Sequence, residues 1–414
     1  MGVLTGLSLP LSLATSIILA RGLGPDGFGK YAFVTACVTL LSLPVGPGLF
    51  QLVTREVAAY RQEREWGLLN GFTRWIRRRG LVISLLVVSG IALAALFFSQ
   101  WTTTSRWSLL LLGGLAIPFL CLQNVNAGIL RGTARVIQAK IPDLVVRPLG
   151  HLVICAVLLA CGVLSPLTAL TSQVFVAILV FFTGVILVRR TNHGDAVDGA
   201  LEYRTREWRR AWQTFVLLVT ASIFNTQVGI VLLGWLGADQ DVAALRVASK
   251  GAQFVILSLT IVNMVIAPHI TSAYRSGNHQ RMQKLARQSA RVAFLSAFPV
   301  AICLIFWGAP IIGLLFGNEY VDSTTRPLAI LAAGQLINSA FGSVGLFLSM
   351  SGHERDTFHG QAWALLINVT LAVYLIPRFG ATGAACAAMA GLLTWNAVLA
   401  YKVVKRLKLR PGAF

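Results

Sequence analysis

Acidic side chains are scarce in this chain: 15 Asp and Glu stand against 35 Lys and Arg in 414 residues. Charge of either sign is scarce too, at 12%, about half of the ~25% usual for soluble domains. With 56% hydrophobic residues and a mean hydropathy of +0.72, an ordinary soluble domain is excluded. Cys37, Cys121, Cys155, Cys161, Cys303 and Cys386 lie in or beside apolar runs without metal-ligand spacing, so they read as packing residues and point to no metal. No Gly-rich loop of phosphate-cradling form is present, which argues against direct ATP coupling and leaves no cofactor implied. The polar stretches SQWTTTSR, LSP and GNEYVDSTTR are too short to carry the acids and bases of a membrane enzyme.

What is present is a series of apolar runs, each about 20 residues long and able to cross a hydrocarbon core of about 30 Å. We expect about twelve spans, at 2–20, 28–50, 81–101, 107–129, 141–164, 167–188, 211–236, 242–270, 292–316, 327–350, 357–376 and 381–401. The N-terminal stretch has no basic start and no cleavage site, and reads as a first span. The net charge of +20 would suggest nucleic acid in a soluble protein; here it falls in short loops, so no nucleic-acid partner is implied. Alternate loops carry 27 Lys and Arg on one side and 5 on the other, with Arg147, Arg246 and Lys250 inside spans. That imbalance predicts both termini in the cytoplasm.

Two short echoes suggest an internal repeat. Leu23-Gly24-Pro25-Asp26 follows span one and Leu236-Gly237-Ala238-Asp239 follows span seven; Ala59-Tyr60-Arg61 and Ala273-Tyr274-Arg275 follow spans two and eight. Six spans per half make the repeat parallel. The expected fold is an all-α integral membrane protein of two six-helix bundles, residues 1–190 and 211–414, joined by a cytoplasmic linker at 191–210. Such proteins place a substrate site near mid-bilayer at the repeat interface.

Within span eight the chain reads DVAALRVASKGAQ over 241–253. Four residues apart on a helix, Arg246 and Lys250 share a face, about 6 and 12 Å inward from Val242. Cations there face a protein interior or a wet cavity and mark a substrate path. Arg246 could instead snorkel outward along its stem, an escape much harder for Lys250. Arg147 has Asp143 a turn before it and His151 a turn after. It reads either as a third cation near the cytoplasmic mouth or as half of an ion pair. Asp143 and His151 are the candidates for coupling, although a lone His is also a common interior residue.

Gln123, Asn126, Asn225, Gln227, Gln253, Gln335 and Asn338 offer the paired donors and acceptors that sugars need, and serve equally well as bonds between helices. Every acid lies in a loop or at a span end, so the chamber expected here is cationic and suits a pyrophosphate or acidic sugar. Gly383, Ala387 and Gly391, with Gly380, Ala384 and Ala388, form an expected close-packing face. Trp66 and Trp75 sit in the basic segment 61–79, which suits contact with anionic membrane lipids, although topology alone also accounts for the charge.

ARGLGPDGFGKYAF at 20–33 and GLFQLVTREVA at 48–58 resemble the opening of the polysaccharide-transport proteins, the O-antigen and exopolysaccharide flippases. LLGWLGADQDVAALRVASKGAQ, LFGNEYVDSTTRPLAILAAGQLIN, LSMSGHERD and INVTLAVYLIPRFGATGAACA extend the resemblance over nearly the whole chain. The family belongs to the multidrug/oligosaccharidyl-lipid/polysaccharide exporter superfamily. The resemblance implies twelve helices in two bundles, alternating access, and flipping of undecaprenyl-diphosphate-linked oligosaccharide across the bacterial inner membrane. It also implies a polysaccharide polymerase and chain-length proteins as partners, and cavity cations at Arg147, Arg246 and Lys250. Many members carry an acid in span seven where this chain has Asn225-Thr226-Gln227, and Gly-x-Tyr where it has Ala243-Ala244-Leu245. A multidrug exporter of the same superfamily is the alternative; a membrane-embedded polymerase or ligase is the reading from another class.

Overall fold

The computed structural model describes residues 2–98, 105–191 and 200–413. Every regular element among them is a helix. The chain divides into two compact units: Met1–Leu23 with Val34–Ile223, and Gly24–Phe33 with Phe224–Phe414.

The first unit is built from α1 (Gly2–Leu41), α2 (Pro47–Glu63), α3 (Trp66–Phe98), α4 (Ser105–Gly114), α5 (Ile117–Gly132), α6 (Val136–Ile141), α7 (Arg147–Ala160), α8 (Pro166–Thr191) and the start of α9 (Thr205–Leu236). A straight helix of 40 residues would run about 60 Å, twice a hydrocarbon core. α1 breaks instead at Gly24, whose φ of 65° and ψ of 176° suit a residue without Cβ. Beyond Leu41, Pro44 and Pro47 withhold backbone donors, and the chain bends by 56° into α2. The second span is therefore a bent pair rather than one rod ending at Phe50. Pro142 opens the π-helical turn Pro142–Val146 between α6 and α7, and Pro148 lies just past its end, for the same reason.

Gly128 and Gly132 bring α5 against α2. A Cβ on either would fall 2.6 or 2.7 Å from the Cβ of Val53 or Val57, so only glycine permits this approach. Hydroxyls in the apolar helices turn back on their own backbone, as Thr15 does to the Leu11 carbonyl at 2.9 Å and Thr39 to that of Thr35 at 2.7 Å. No donor is then left bare to lipid at those positions.

The second unit carries the end of α9 with α10 (Asp239–Arg275), α11 (His279–Phe306), α12 (Gly308–Phe316), α13 (Val321–Phe341), α14 (Val344–Met350) and α15 (Glu354–Leu407). Ala286, Ala290, Ala293, Ala297 and Ala301 make a buried small-residue stripe on α11, against which α10 and α13 pack. α15 has 54 residues, about 81 Å if straight, and breaks at Gly380, where φ is 53°. Asp241 of α10 accepts from the Ala381 N–H at 3.2 Å, capping the helix that restarts there. At the far ends of the same two segments, Asp356 accepts from Lys402 Nζ at 3.1 Å and Arg406 Nε at 3.3 Å. Gly24–Phe33 also belongs to this unit: Phe33 lies edge-on to Trp235 at 6.2 Å and covers Gly234, and Gly29 sits against the Asp239 backbone.

Among the described residues eight helices are long and apolar enough to cross a membrane, or ten if each bent pair counts once. Dividing α1 and α15 at their glycines adds two, which gives the twelve crossings expected. The ends differ. α3, α9 and α11 begin at Trp66, Thr205 and His279, well before 81, 211 and 292. Hydropathy marks only the part in hydrocarbon, whereas the helices continue into basic stretches; Asn278 caps α11 by accepting from the Arg281 N–H at 2.9 Å. The ninth expected span, 292–316, is interrupted: α11 stops at Phe306, since Trp307 leaves helical geometry and α12 starts afresh. Gly383, Ala387 and Gly391 are buried as a packing face, but Gly380 serves as the break and not as part of that face. The expected end of span three at Trp101, and residues 192–199 of the linker, lie outside the described residues.

Candidate functional site

Arg246 and Lys250 lie on α10 between the buried residues Val242, Ala243, Ala244, Leu245, Val247, Ala248 and Ala252. Both are half-buried. Arg246 forms no ion pair with a described residue; Tyr31, on the α1 segment of the same unit, and Lys250, a turn further on, lie within its electrostatic reach. A half-buried guanidinium without a carboxylate is an arrangement helix packing alone does not call for.

The remaining candidates separate by whether the fold already uses them. Arg147 Nη2 donates to Asp143 Oδ1 at 2.6 Å, so those two residues form the i,i+4 pair. His151 hydrogen-bonds the backbone of Ala169 on α8. Asn126 Oδ1 accepts from Arg77 Nη2 at 3.2 Å, tying α5 to α3, and Gln123 is buried beside Gly184 of α8. Asn225 Oδ1 accepts from Asn368 Nδ2 at 2.8 Å, joining α9 to α15. Asn338 donates to Gln335 at 3.3 Å and accepts from Asn396 at 2.9 Å. Gln253 is exposed, and Gln227 keeps a buried Oε1 with no partner among the described residues. Arg246 and Gln227 thus remain in the second unit with capacity for a ligand. No three His, Cys, Asp or Glu among the described residues gather to hold a metal.

One feature of the first unit was legible only as a basic segment. Trp208 Nε1 donates to Tyr60 Oη at 2.7 Å and Trp212 Nε1 to the Pro44 carbonyl at 3.0 Å, which pins the polar start of α9 to α2 and to the turn that precedes it. Trp75 of α3 packs on both rings, at 5.4 and 5.9 Å. Cavities rimmed by arginine open beside it.

Residues 1–274 match the family described as Polysaccharide biosynthesis protein. The chain belongs to that family. It is a multi-pass membrane protein of the multidrug/oligosaccharidyl-lipid/polysaccharide exporter superfamily, and residues 214–374 also match the MatE family. A curated relative is the probable low-salt glycan biosynthesis flippase Agl15 of Haloferax volcanii, 22% identical over 164 residues. That match covers 40% of this chain and spans about a third of the relative, 34%. Among solved structures, the lipid II flippase MurJ in an inward closed conformation superposes with a TM-score of 0.77 at 14% identity, over 97% of this chain and 86% of that one. An inward-facing multidrug resistance MATE family transporter superposes at 0.80 and 14%, over 99% and 98%. Likeness at that identity concerns the fold, and it agrees with the all-helical membrane architecture reached above.

Proposed function

We propose that this family member is a flippase for an undecaprenyl-diphosphate-linked oligosaccharide, and not an enzyme. The observation that carries the reading is Arg246: a half-buried cation without an acidic partner, one turn from Lys250. Such a pair attracts a pyrophosphate or acidic sugar, and would repel the cationic compounds that a buried carboxylate serves. In this reading residues 1–190 and 211–414 act as two six-helix bundles that alternate access, with Arg147 toward the cytoplasmic mouth and Asn225, Gln227, Gln253, Gln123 and Asn126 as sugar contacts. His151 and Asp143 are the coupling candidates. The setting would be the bacterial inner membrane with both termini cytoplasmic, upstream of a polysaccharide polymerase and chain-length proteins, and the product an O-antigen or exopolysaccharide.

Lys250→Ala and Arg246→Ala are expected to abolish surface polysaccharide while leaving the amount of protein in the membrane unchanged. Normal polysaccharide in both variants would overturn the assignment. The match of residues 214–374 to MatE favours drug export as the second reading. Loss of drug resistance with intact polysaccharide in a deletion strain would decide for it.

A further inference from the structure

The basic end of α3 and the start of α9 present four arginines to open space. A cavity of about 490 Å³ is lined by Arg74, Arg78, Arg79 and Arg209, with Trp75 and Val82. Its neighbour, about 440 Å³, shares Trp75, Arg79 and Arg209. None of the four guanidinium groups forms an ion pair with a described residue, whereas nearby Arg204 is taken by Glu65 at 3.6 Å. Trp75 supplies an independent observation. Three indoles meet here; those of Trp208 and Trp212 have acceptors, but the Trp75 N–H has none among the described residues although the side chain is only 8% exposed. A buried donor is costly to leave unmatched, so a ligand oxygen is the natural partner. Along the same helix, Leu81, Val82, Leu85 and Leu86 are exposed and apolar, and Arg74, Arg78, Val82 and Leu86 repeat every fourth residue on one face. Phosphate chemistry at one end of a helix face and bare hydrocarbon along the rest match a lipid lying parallel to α3.

We propose that this face of the first unit is a binding site for an anionic phospholipid of the cytoplasmic leaflet, its phosphate held by Arg74, Arg78 and Arg209 with the Trp75 N–H, and its acyl chain along Leu81–Leu86. The site is separate from Arg246 and Lys250 and stands whether or not they carry substrate. It makes the lipid a fixed component of the first unit rather than a diffuse counter-charge.

The test uses full-length protein in phosphatidylcholine vesicles containing phosphatidylglycerol, with retained lipid counted by native mass spectrometry. Wild-type protein is expected to retain phosphatidylglycerol over phosphatidylcholine. Replacing Arg74, Arg78 and Arg209 by Gln should cut that preference roughly fivefold per arginine, and replacing them by Lys should keep most of it. Trp75→Phe, which preserves the ring packing and removes only the donor, should lower retention severalfold. Circular dichroism and elution volume check that each variant is folded. The proposal fails if the Gln variant keeps the preference, or if Arg281→Gln with Arg287→Gln on α11 lowers it equally, since bulk charge would then suffice. It also fails if phosphatidylglycerol is not retained but polyprenyl diphosphate is, which would make the site one for a transported lipid.

Discussion

Arg246→Met separates a binding cation from a structural one by the sign of its effect. Methionine keeps the length and apolar stem of arginine and removes the charge. A cation in mid-span costs about 2.5–3.5 kcal/mol relative to an apolar residue. Arg246 is half-buried and has no ion pair among the described residues to offset that cost. About half of the cost, 1–2 kcal/mol, should therefore return as stability when the charge is removed. Arg246→Met is expected to unfold later than wild type in detergent, followed by tryptophan fluorescence on heating, while surface polysaccharide is lost. Arg147→Met supplies the opposite sign. It breaks the 2.6 Å pair with Asp143, whose partners are 41% and 29% exposed, and should cost up to about 1 kcal/mol. If Arg246→Met unfolds earlier than wild type, the guanidinium makes net favourable contacts and the reasoning from an unmatched charge is refuted.

Two further substitutions test the fold around these sites. Gly380→Ala would place a Cβ 2.7 Å from Asp241 Oδ1 at a φ of 53°, so it should cost at least about 1–2 kcal/mol and lower the yield of folded protein; an unchanged melting temperature would count against the break at this residue. Trp208→Phe loses the 2.7 Å bond to Tyr60 Oη, about 1 kcal/mol, and should speed proteolysis near residue 203 without altering transport if the indole only pins the start of α9.

The helices were legible in the sequence because a span must bury some twenty consecutive residues, and composition records that requirement directly. Their true ends were less so. His279–Arg291 is too polar to register as membrane, yet it continues α11 because its backbone bonds are made within the helix and Asn278 caps its start. Gly24 and Gly380 looked like turn and packing residues; that they break otherwise continuous helices depends on φ, which the letters do not state. The amides show the same limit. Asn225 and Asn126 have the chemistry of sugar ligands, but their partners Asn368 and Arg77 lie 143 and 49 residues away, where no local pattern could reveal them. Arg246 and Lys250 stood out because cations inside an apolar run are rare.

Gly24–Phe33 is written into the first half of the gene but counts with the second unit. A C-terminal piece beginning near residue 205 would thus be made without the ten residues that cover Gly234 and lean on the Asp239 turn. Produced alone, it would uncover Gly234 and that turn; supplied with a peptide spanning 24–33, or with that stretch grafted ahead of α9, it would regain its lid. Where this chain can be divided is decided by that borrowed decapeptide rather than by the polar linker that looks like the natural seam.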